Sequence, residues 1–377
     1  MKQKEYFGDG SIKNLRDILD ENNAKNIFLV TGKSSYHSCG AEDSLKEVLE
    51  RYNVSRFYDF EENPKIEDVK KGMSLFREFN PDLVIGVGGG TALDMAKLLN
   101  TLSLQNKDPE EYICNGGKIR ELGKPLILMP TTSGTGSEAT RFAVVYINKK
   151  KYSLAHEHML PGYSIIDSNF TLNLPRKITA STGMDALSQA IESYWAIDST
   201  PESRGYSRNA INLIKENLQI AVDNPTNESR LAMAKAANLA GKAINITKTT
   251  APHAISYALT SYFGIPHGHA AGLTLGKFLE YNSQVTEKDC NDSRGPEFVR
   301  KTILELCSLL NVEDTHSAKN KIGSLMNGIG LETNIPNLGI RSEEDLDLIM
   351  ENVNIERLIN NPRTINESVM KTLLREQ

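Results

Sequence analysis

The chain has 377 residues, more than one ordinary core holds, so two domains are expected. It carries 43 Lys and Arg against 48 Asp and Glu, a formal net charge of −5, which excludes the basic excess of a general nucleic-acid binder. Hydrophobic residues make up 39% and charged residues 24%, the balance of a folded globular chain, and no apolar run reaches the ~18 residues of a membrane helix.

The opening MKQKEYFGDGS lacks the apolar core of a leader peptide, so a cytoplasmic protein is expected. Residues 26–31 (NIFLVT) read as a buried strand, as do 83–87 (LVIGV), 126–129 (LILM) and 163–166 (YSII). Between them, 44–52 and 66–79 have helical periodicity. Short apolar strands alternating with helices predict a parallel sheet with helices on both faces. Beyond about residue 175 the strand signals stop. Residues 177–196, 203–222, 228–245, 254–263 and 268–281 all read as helices, while 291–301 is polar and less regular. The break at Leu174-Pro175-Arg176 divides the chain into an α/β domain, 1–175, and an all-α domain, 176–377. Cys39, Cys114, Cys290 and Cys307 are scattered without CxxC spacing and read as free thiols in a reducing compartment.

Two glycine-rich segments follow strands in the first domain. Gly86-Val87-Gly88-Gly89-Gly90-Thr91 runs into a predicted helix, ALDMAK, an arrangement that lets backbone N–H groups approach a phosphate. The spacing is neither GxGxxG nor a Walker A loop, and a glycine triplet alone also suits a tight βα turn. Pro130-Thr131-Thr132-Ser133-Gly134-Thr135-Gly136-Ser137-Glu138 again follows a strand, with small hydroxyl side chains suited to a nucleotide. Two such loops at the ends of neighbouring parallel strands point to a dinucleotide site. The first strand ends in Thr31-Gly32-Lys33-Ser34-Ser35, where an NAD site ordinarily carries an acidic residue for the ribose 2′-OH. Gly32 removes that charge, and Lys33 with Ser34 suits a 2′-phosphate, so NADP(H) is expected over NAD(H).

The second domain holds a metal-binding pattern. Asp185 and Gln189 are four residues apart on a predicted helix and share a face. His253 opens an apolar run, HAISYAL, and His267 follows 14 residues later in IPHGH. A carboxylate and two imidazoles suit a divalent transition metal such as Zn²⁺ or Fe²⁺ with an open position for substrate. A buried histidine held by core hydrogen bonds would look the same in sequence.

In order and spacing, GVGGGTALDMAK, PTTSGTGSE, GMDALSQAIESYW and HAISYALTSYFGIPHG resemble the iron-containing (group III) alcohol dehydrogenase family over nearly the whole chain. The resemblance implies a dehydroquinate synthase-like architecture: an α/β dinucleotide-binding domain, a helical domain, and an active site in the cleft between them. It implies pyrophosphate contacts at Gly88, Gly89 and Gly90 with Asp94 on the next helix, and Thr131, Thr132 and Ser133 beside the nucleotide. The family's metal pattern of one aspartate and three histidines falls on Asp185, Gln189, His253 and His267, so a glutamine stands at one histidine position. Tyr257 likewise stands where many relatives have a histidine near the nicotinamide. A homodimer is the family expectation.

The stretch TKTTAPHAISY and the segment ESYW look most like the phosphonoacetaldehyde reductases, also called hydroxyethylphosphonate dehydrogenases. Lys248 with Thr249 offers a cation and a hydroxyl for a phosphonate, and Arg141 and Lys151 are further candidates. The expected reaction is reversible reduction of phosphonoacetaldehyde to 2-hydroxyethylphosphonate. The rivals are a reductase of another small aldehyde, a metal- and NAD-dependent lyase or cyclase, and a degenerate nucleotide-binding protein.

Overall fold

The structure is a computed structural model that describes residues 3–148 and 150–375, in two compact units, Met1–Leu174 and Pro175–Gln377. In the first unit the chain runs through β1 (Lys4–Phe7), α1 (Leu15–Glu21), β2 (Asn26–Thr31), α2 (Ser35–Ser38), α3 (Ala41–Leu49), β3 (Asn53–Phe57), α4 (Ile66–Phe79), β4 (Leu83–Gly88), α5 (Gly90–Leu102), α6 (Pro109–Cys114), β5 (Leu126–Pro130), β6 (Phe142–Ile147), β7 (Lys150–Ala155) and β8 (Tyr163–Ile166). Six strands form one all-parallel sheet in the order β1-β8-β5-β4-β2-β3.

Alternate residues of these strands enter two separate cores. Phe28, Val30 and Val84 pack with Phe76 of α4 and Leu99 of α5, whereas Ile27, Leu29, Ile85 and Val87 pack with Leu15 and Ile18 of α1 and Leu45 of α3. The sheet is therefore covered on both faces, which is why its central strands read as continuous apolar runs. The strand order reverses direction between β2 and β4, and in such sheets ligands bind at the carboxyl ends beside that switch point.

Four strands lie outside the expected pattern. β1 and β3 are the sheet edges, pair on one side only and stay partly exposed, so their residues are too polar to signal burial. The expected helix at 44–52 is α3, Ala41–Leu49, and its last residues lead into β3. Gly40 at φ 78° precedes α3, a left-handed conformation that suits glycine. β6 and β7 form a separate antiparallel hairpin, in register from Phe142 opposite Ala155 to Ile147 opposite Lys150.

The second unit is helical: α7 (Arg176–Trp195), α8 (Pro201–Asp223), α9 (Asn227–Thr247), α10 (Ala251–Phe263), α11 (His267–Ser283), α12 (Pro296–Leu309), α13 (Thr315–Gly328), α14 (Glu343–Glu351), α15 (Ile355–Ile359) and α16 (Glu367–Arg375). Among the described residues its extended pairing is limited to an isolated bridge between Cys290 and Arg363. Thr200 and Thr226 start α8 and α9 as reciprocal capping boxes with Ser203 and Ser229. α7 packs against α8, α9 and α11 and is buried on nearly all sides, with little amphipathic character. Among the described residues no helix is long and apolar enough to cross a membrane. All four cysteines are free.

Candidate metal centre and nucleotide loops

A helix buried all round has no cheap place for a polar side chain, because each one needs a partner. α7 nevertheless buries Asp185, Gln189 and Glu192, at i, i+4 and i+7 on one face. They meet His253 from the first turns of α10 and His267, the first residue of α11. Ligand atoms of Asp185, His253 and His267 all lie within 4.8 Å of one another.

Hydrogen bonds fix the ring orientations. Glu192, fully buried, accepts from the backbone N–H groups of Thr250 (3.0 Å) and His253 (3.2 Å) and from the Thr250 hydroxyl (3.1 Å). The Trp195 indole N–H in turn donates to that hydroxyl at 2.8 Å. The other Glu192 oxygen faces His253 Nδ1, which leaves His253 Nε2 toward Asp185 Oδ1 at 3.2 Å. At His267, Nδ1 is 3.4 Å from the Ser256 hydroxyl, which already donates to the His253 carbonyl at 2.8 Å. That hydroxyl therefore accepts from His267 Nδ1–H, so Nε2 is the nitrogen that a metal would take. The imidazoles of His253 and His267 lie edge to face with centroids 5.2 Å apart.

The electrostatics follow from the same contacts. Burial alone pushes the Asp185 carboxyl up, but the His253 hydrogen bond and the charge of the two imidazoles hold it below the ordinary carboxylate range. Burial works against a charged His253, yet Glu192 and Asp185 on its two sides push it up to about 10. Without a metal, the protonated imidazole of His253 bridges the two carboxylates, Nδ1–H toward Glu192 and Nε2–H toward Asp185.

The donor set fits a divalent cation. Two imidazole nitrogens and a carboxylate converge, and the buried Gln189 Oε1 has no hydrogen-bond partner. A bare buried carbonyl oxygen costs roughly 1–3 kcal/mol, and the Gln189 side chain stands at the same group, because it hydrogen-bonds Asp185. Glycine makes the convergence sterically feasible. A Cβ on Gly268 would stand 2.0 Å from the Ser181 carbonyl oxygen and 2.6 Å from Asp185 Cβ, so a side chain there would push α11 off α7. His269, two residues beyond His267, lies outside this group: its Nε2 faces the Glu332 carbonyl at 2.6 Å, and burial pushes its pKa down.

In the first unit, Gly88, Gly89 and Gly90 end β4 and open α5, while Thr131, Thr132 and Ser133 follow β5. The two loops touch. Thr131 N donates to Gly88 O at 2.9 Å, and a Cβ on Gly90 would meet Thr135 Cγ2 at 2.7 Å. Ser133 Oγ, in the loop after β5, is buried without a hydrogen-bond partner. Gly32 N is 3.4 Å from Val87 O, so the end of β2 joins the same rim, with Lys33 and Ser34 exposed.

Asp94, expected beside the cofactor, also reaches the hairpin. Its carboxylate accepts from the Ser137 hydroxyl (2.5 Å) and from Val144 N (2.9 Å), and Lys97 donates to the Thr140 hydroxyl and Phe142 O at 2.9 Å each. The ALDMAK segment thus ties α5 to the hairpin strand β6.

Tyr257 stacks on the His267 ring, centroids 5.7 Å apart. Lys248 ends α9 at φ 62°, and its exposed ammonium pairs with Glu356. Thr249 is buried beside it. Arg141 and Lys151 lie in the first unit, at the entry to β6 and within β7.

Sequence reasoning missed Glu192 and Arg56. The signal for Glu192 was present as a third polar residue on the Asp185 face of an otherwise small and apolar helix. Arg56, in β3, donates to the Thr31 hydroxyl at 2.8 Å and stacks on Tyr36 and Tyr58, beside Gly32.

Comparison with known proteins shows the family. Residues 3–168 match the model of the iron-containing alcohol dehydrogenases, and residues 179–377 match that of the Fe-containing alcohol dehydrogenase family, C-terminal. The chain belongs to the iron-containing alcohol dehydrogenase family. It is an oxidoreductase of alcohols or aldehydes that works with NAD(P) and a metal. It is 34% identical over 292 residues to long-chain-alcohol dehydrogenase 1 of Geobacillus thermodenitrificans, covering 76% of this chain and 74% of that protein. It is 33% identical over 315 residues to the phosphonoacetaldehyde reductase of Streptomyces viridochromogenes, covering 80% and 77%. The solved sulfoacetaldehyde reductase of Bifidobacterium kashiwanohense, in complex with NAD+, superposes with a TM-score of 0.88 at 30% identity, covering 99% of this chain and 96% of that one.

Proposed function

We propose that this enzyme reduces phosphonoacetaldehyde to 2-hydroxyethylphosphonate, reversibly, with NADPH and one divalent metal. The observation that carries the reading is the convergence of Asp185, His253 and His267 with the unpartnered Gln189 Oε1. Relatives named for phosphonoacetaldehyde and for sulfoacetaldehyde support a short aldehyde with a tetrahedral anion at its far end.

Asp185, His253, His267 and Gln189 would hold Zn²⁺ or Fe²⁺, which supplies Lewis-acid polarisation of a carbonyl oxygen when bound. Glu192 holds His253 with Nε2 toward the metal position, and Ser256 does the same for His267. A bound nicotinamide would supply hydride, and the residue proposed to pass a proton to the new alcohol, directly or with solvent, is Tyr257. The stack of Tyr257 on the His267 ring supports that role.

In the nucleotide site, Gly88, Gly89 and Gly90 leave room for the pyrophosphate, and Thr131, Thr132 and Ser133 line its other side. Gly32 carries no acid for a ribose 2′-OH, and Lys33, Ser34 and Arg56 put two cations and a hydroxyl near it, which supports NADPH over NADH. Four unbridged cysteines support a cytoplasmic setting, and a homodimer is the assembly expected of it.

The test is NADPH oxidation by protein stripped with EDTA and reloaded with Zn²⁺ or Fe²⁺. Metal-dependent turnover of phosphonoacetaldehyde well above that of propanal or of the NADH reaction is expected. Turnover of propanal alone would leave the dehydrogenase and remove the phosphonate. That second reading, an uncharged small aldehyde, is favoured by one observation: the Lys248 ammonium already has a counter-ion in Glu356.

A further inference from the structure

Arg357 lies in α15 and is only 6% exposed, yet its Nη1 is buried with no hydrogen-bond partner. Among the described residues its guanidinium makes no hydrogen bond or ion pair. A guanidinium does not shed its charge in a protein, so burial leaves a cation with no hydrogen-bonded counter-ion, and, behind the Lys248 hydrogen bond, its field helps hold the neighbouring Glu356 carboxyl down. The carboxylate next to it in sequence, Glu356, is held by Lys248 Nζ. Two cations and one carboxylate therefore leave one positive charge over.

The support under Arg357 is rigid. Asn354 caps α15, its side chain accepting from Arg357 N at 3.0 Å, and its own N–H donates to the carbonyl of Ala254 at 3.4 Å. Ala254 is the residue after His253. Three residues past Arg357, the Asn360 amide donates to the carbonyls of Thr247 (2.7 Å) and Thr249 (3.0 Å). Those two bonds clamp the backbone on either side of Lys248, whose φ of 62° with ψ of −174° is a conformation few residues other than glycine adopt. α15 is thus bolted to the segment that carries metal ligand His253, with an unpaired buried guanidinium in it.

We propose that Arg357, rather than Lys248, binds the tetrahedral oxyanion of the substrate, and so sets the preference for small aldehydes that end in phosphonate or sulfonate. This rests on the reading of the enzyme as an aldehyde reductase for an anionic substrate. The planar guanidinium offers a fork of parallel N–H donors matched to two oxygens of such a group, and burial strengthens each bond. The buried Thr249 stands beside the clamp as a further donor. Lys248 and Glu356 form the exposed edge of the same segment.

The experiment uses the metal-loaded enzyme as wild type, Arg357→Gln and Arg357→Lys. Methylphosphonate and methanesulfonate are the non-reducible probes, titrated calorimetrically and tested as inhibitors. The wild type should bind one of them competitively with the aldehyde. Arg357→Gln should weaken that binding at least ~10-fold, with Arg357→Lys intermediate. In turnover, kcat/KM should fall at least ~10-fold further for phosphonoacetaldehyde than for propanal, mostly through KM.

Equal probe binding by wild type and Arg357→Gln would overturn the role of Arg357 while leaving the anionic substrate standing. A wild type that binds neither probe and prefers propanal would remove the anionic substrate, and this inference with it. Asn360 Oδ1 is also buried without a partner, so a bridging water to Arg357 is the rival arrangement, and it predicts no probe binding. A preference for methanesulfonate would keep Arg357 and replace phosphonate by sulfonate. If Arg357→Gln does not fold, Arg357→Lys carries the same comparison, because it keeps the charge and loses the fork.

Discussion

The two units build their sites from opposite materials. The proposed nucleotide loops of the first unit use backbone amides, glycines and small hydroxyls at the ends of parallel strands, while Asp94 on the helix that follows holds the hairpin. The proposed metal centre of the second unit gathers charged and polar side chains on helices, with Glu192 and Asp185 holding His253 on its two sides. The first kind of site depends on space, since a single added methyl group collides with a neighbouring loop. The second depends on charge balance, since removing one member leaves its partner buried and unpaired. The two should therefore fail differently when mutated.

The largest effect is expected from Asp185→Ala. Metal content should drop below a tenth of an equivalent and activity by at least ~10³-fold, because several kcal/mol of Lewis-acid stabilisation goes with the ion. Nucleotide binding, measured by fluorescence, should survive. Loss of both would break the separation of the two sites.

Glu192→Gln comes next. The amide still fills the space but no longer balances a charged His253 or fixes its tautomer, so metal affinity by chelator competition should fall ~10–100-fold. An unchanged affinity would reduce Glu192 to a helix-packing residue.

The counterpart in the first unit is Gly90→Ala, whose methyl group would stand 2.7 Å from Thr135 Cγ2. Cofactor binding should weaken by about 5- to 100-fold, the equivalent of ~1–3 kcal/mol of overpacking, with metal content intact. A fall in metal content instead would contradict the contrast.

The pH dependence separates the units without mutation. His253 is held up to about 10 in the folded metal-free protein, against 6.5 for an ordinary imidazole. Its proton bridge therefore stabilises fully below about 6.5 and is lost as pH rises through about 10. EDTA-stripped protein should melt progressively lower from pH 7 to 10, whereas metal affinity should climb over the same window as the competing proton leaves. A flat melting profile for stripped protein would mean that His253 carries no bridging proton.

The smallest effect is Lys33→Ala. Lys33 is exposed, so the ratio of NADPH to NADH efficiency should fall only about 3- to 5-fold, in keeping with the ~1 kcal/mol of a solvated charge pair. No change in the ratio would shift the 2′-phosphate contact to Arg56.

What could be read from the chain alone divides along physical lines. The central strands β2, β4, β5 and β8 were legible because burial on both faces makes them continuous apolar runs. The long helices of the second unit were legible because their period persists over four or more turns. β1 and β3 were not, since edge strands bury one side only, and 142–155 gave no clear signal because the hairpin mixes an apolar strand with a lysine-rich one. Asp185, Gln189, His253 and His267 stood out because polar residues in apolar helical runs are conspicuous.

Sequence by itself determined the local choices: which segments bury, where small residues let loops approach, and which residue types offer metal or phosphate ligands. Only the tertiary structure decided pairing. It gave Glu192 to His253, Asp94 to the hairpin, Lys248 to Glu356 and His269 to a carbonyl, and it left Gln189 Oε1 and Arg357 without partners. The reason is that partnership between residues up to 108 positions apart depends on how helices and strands pack, and no local period in the chain encodes that distance.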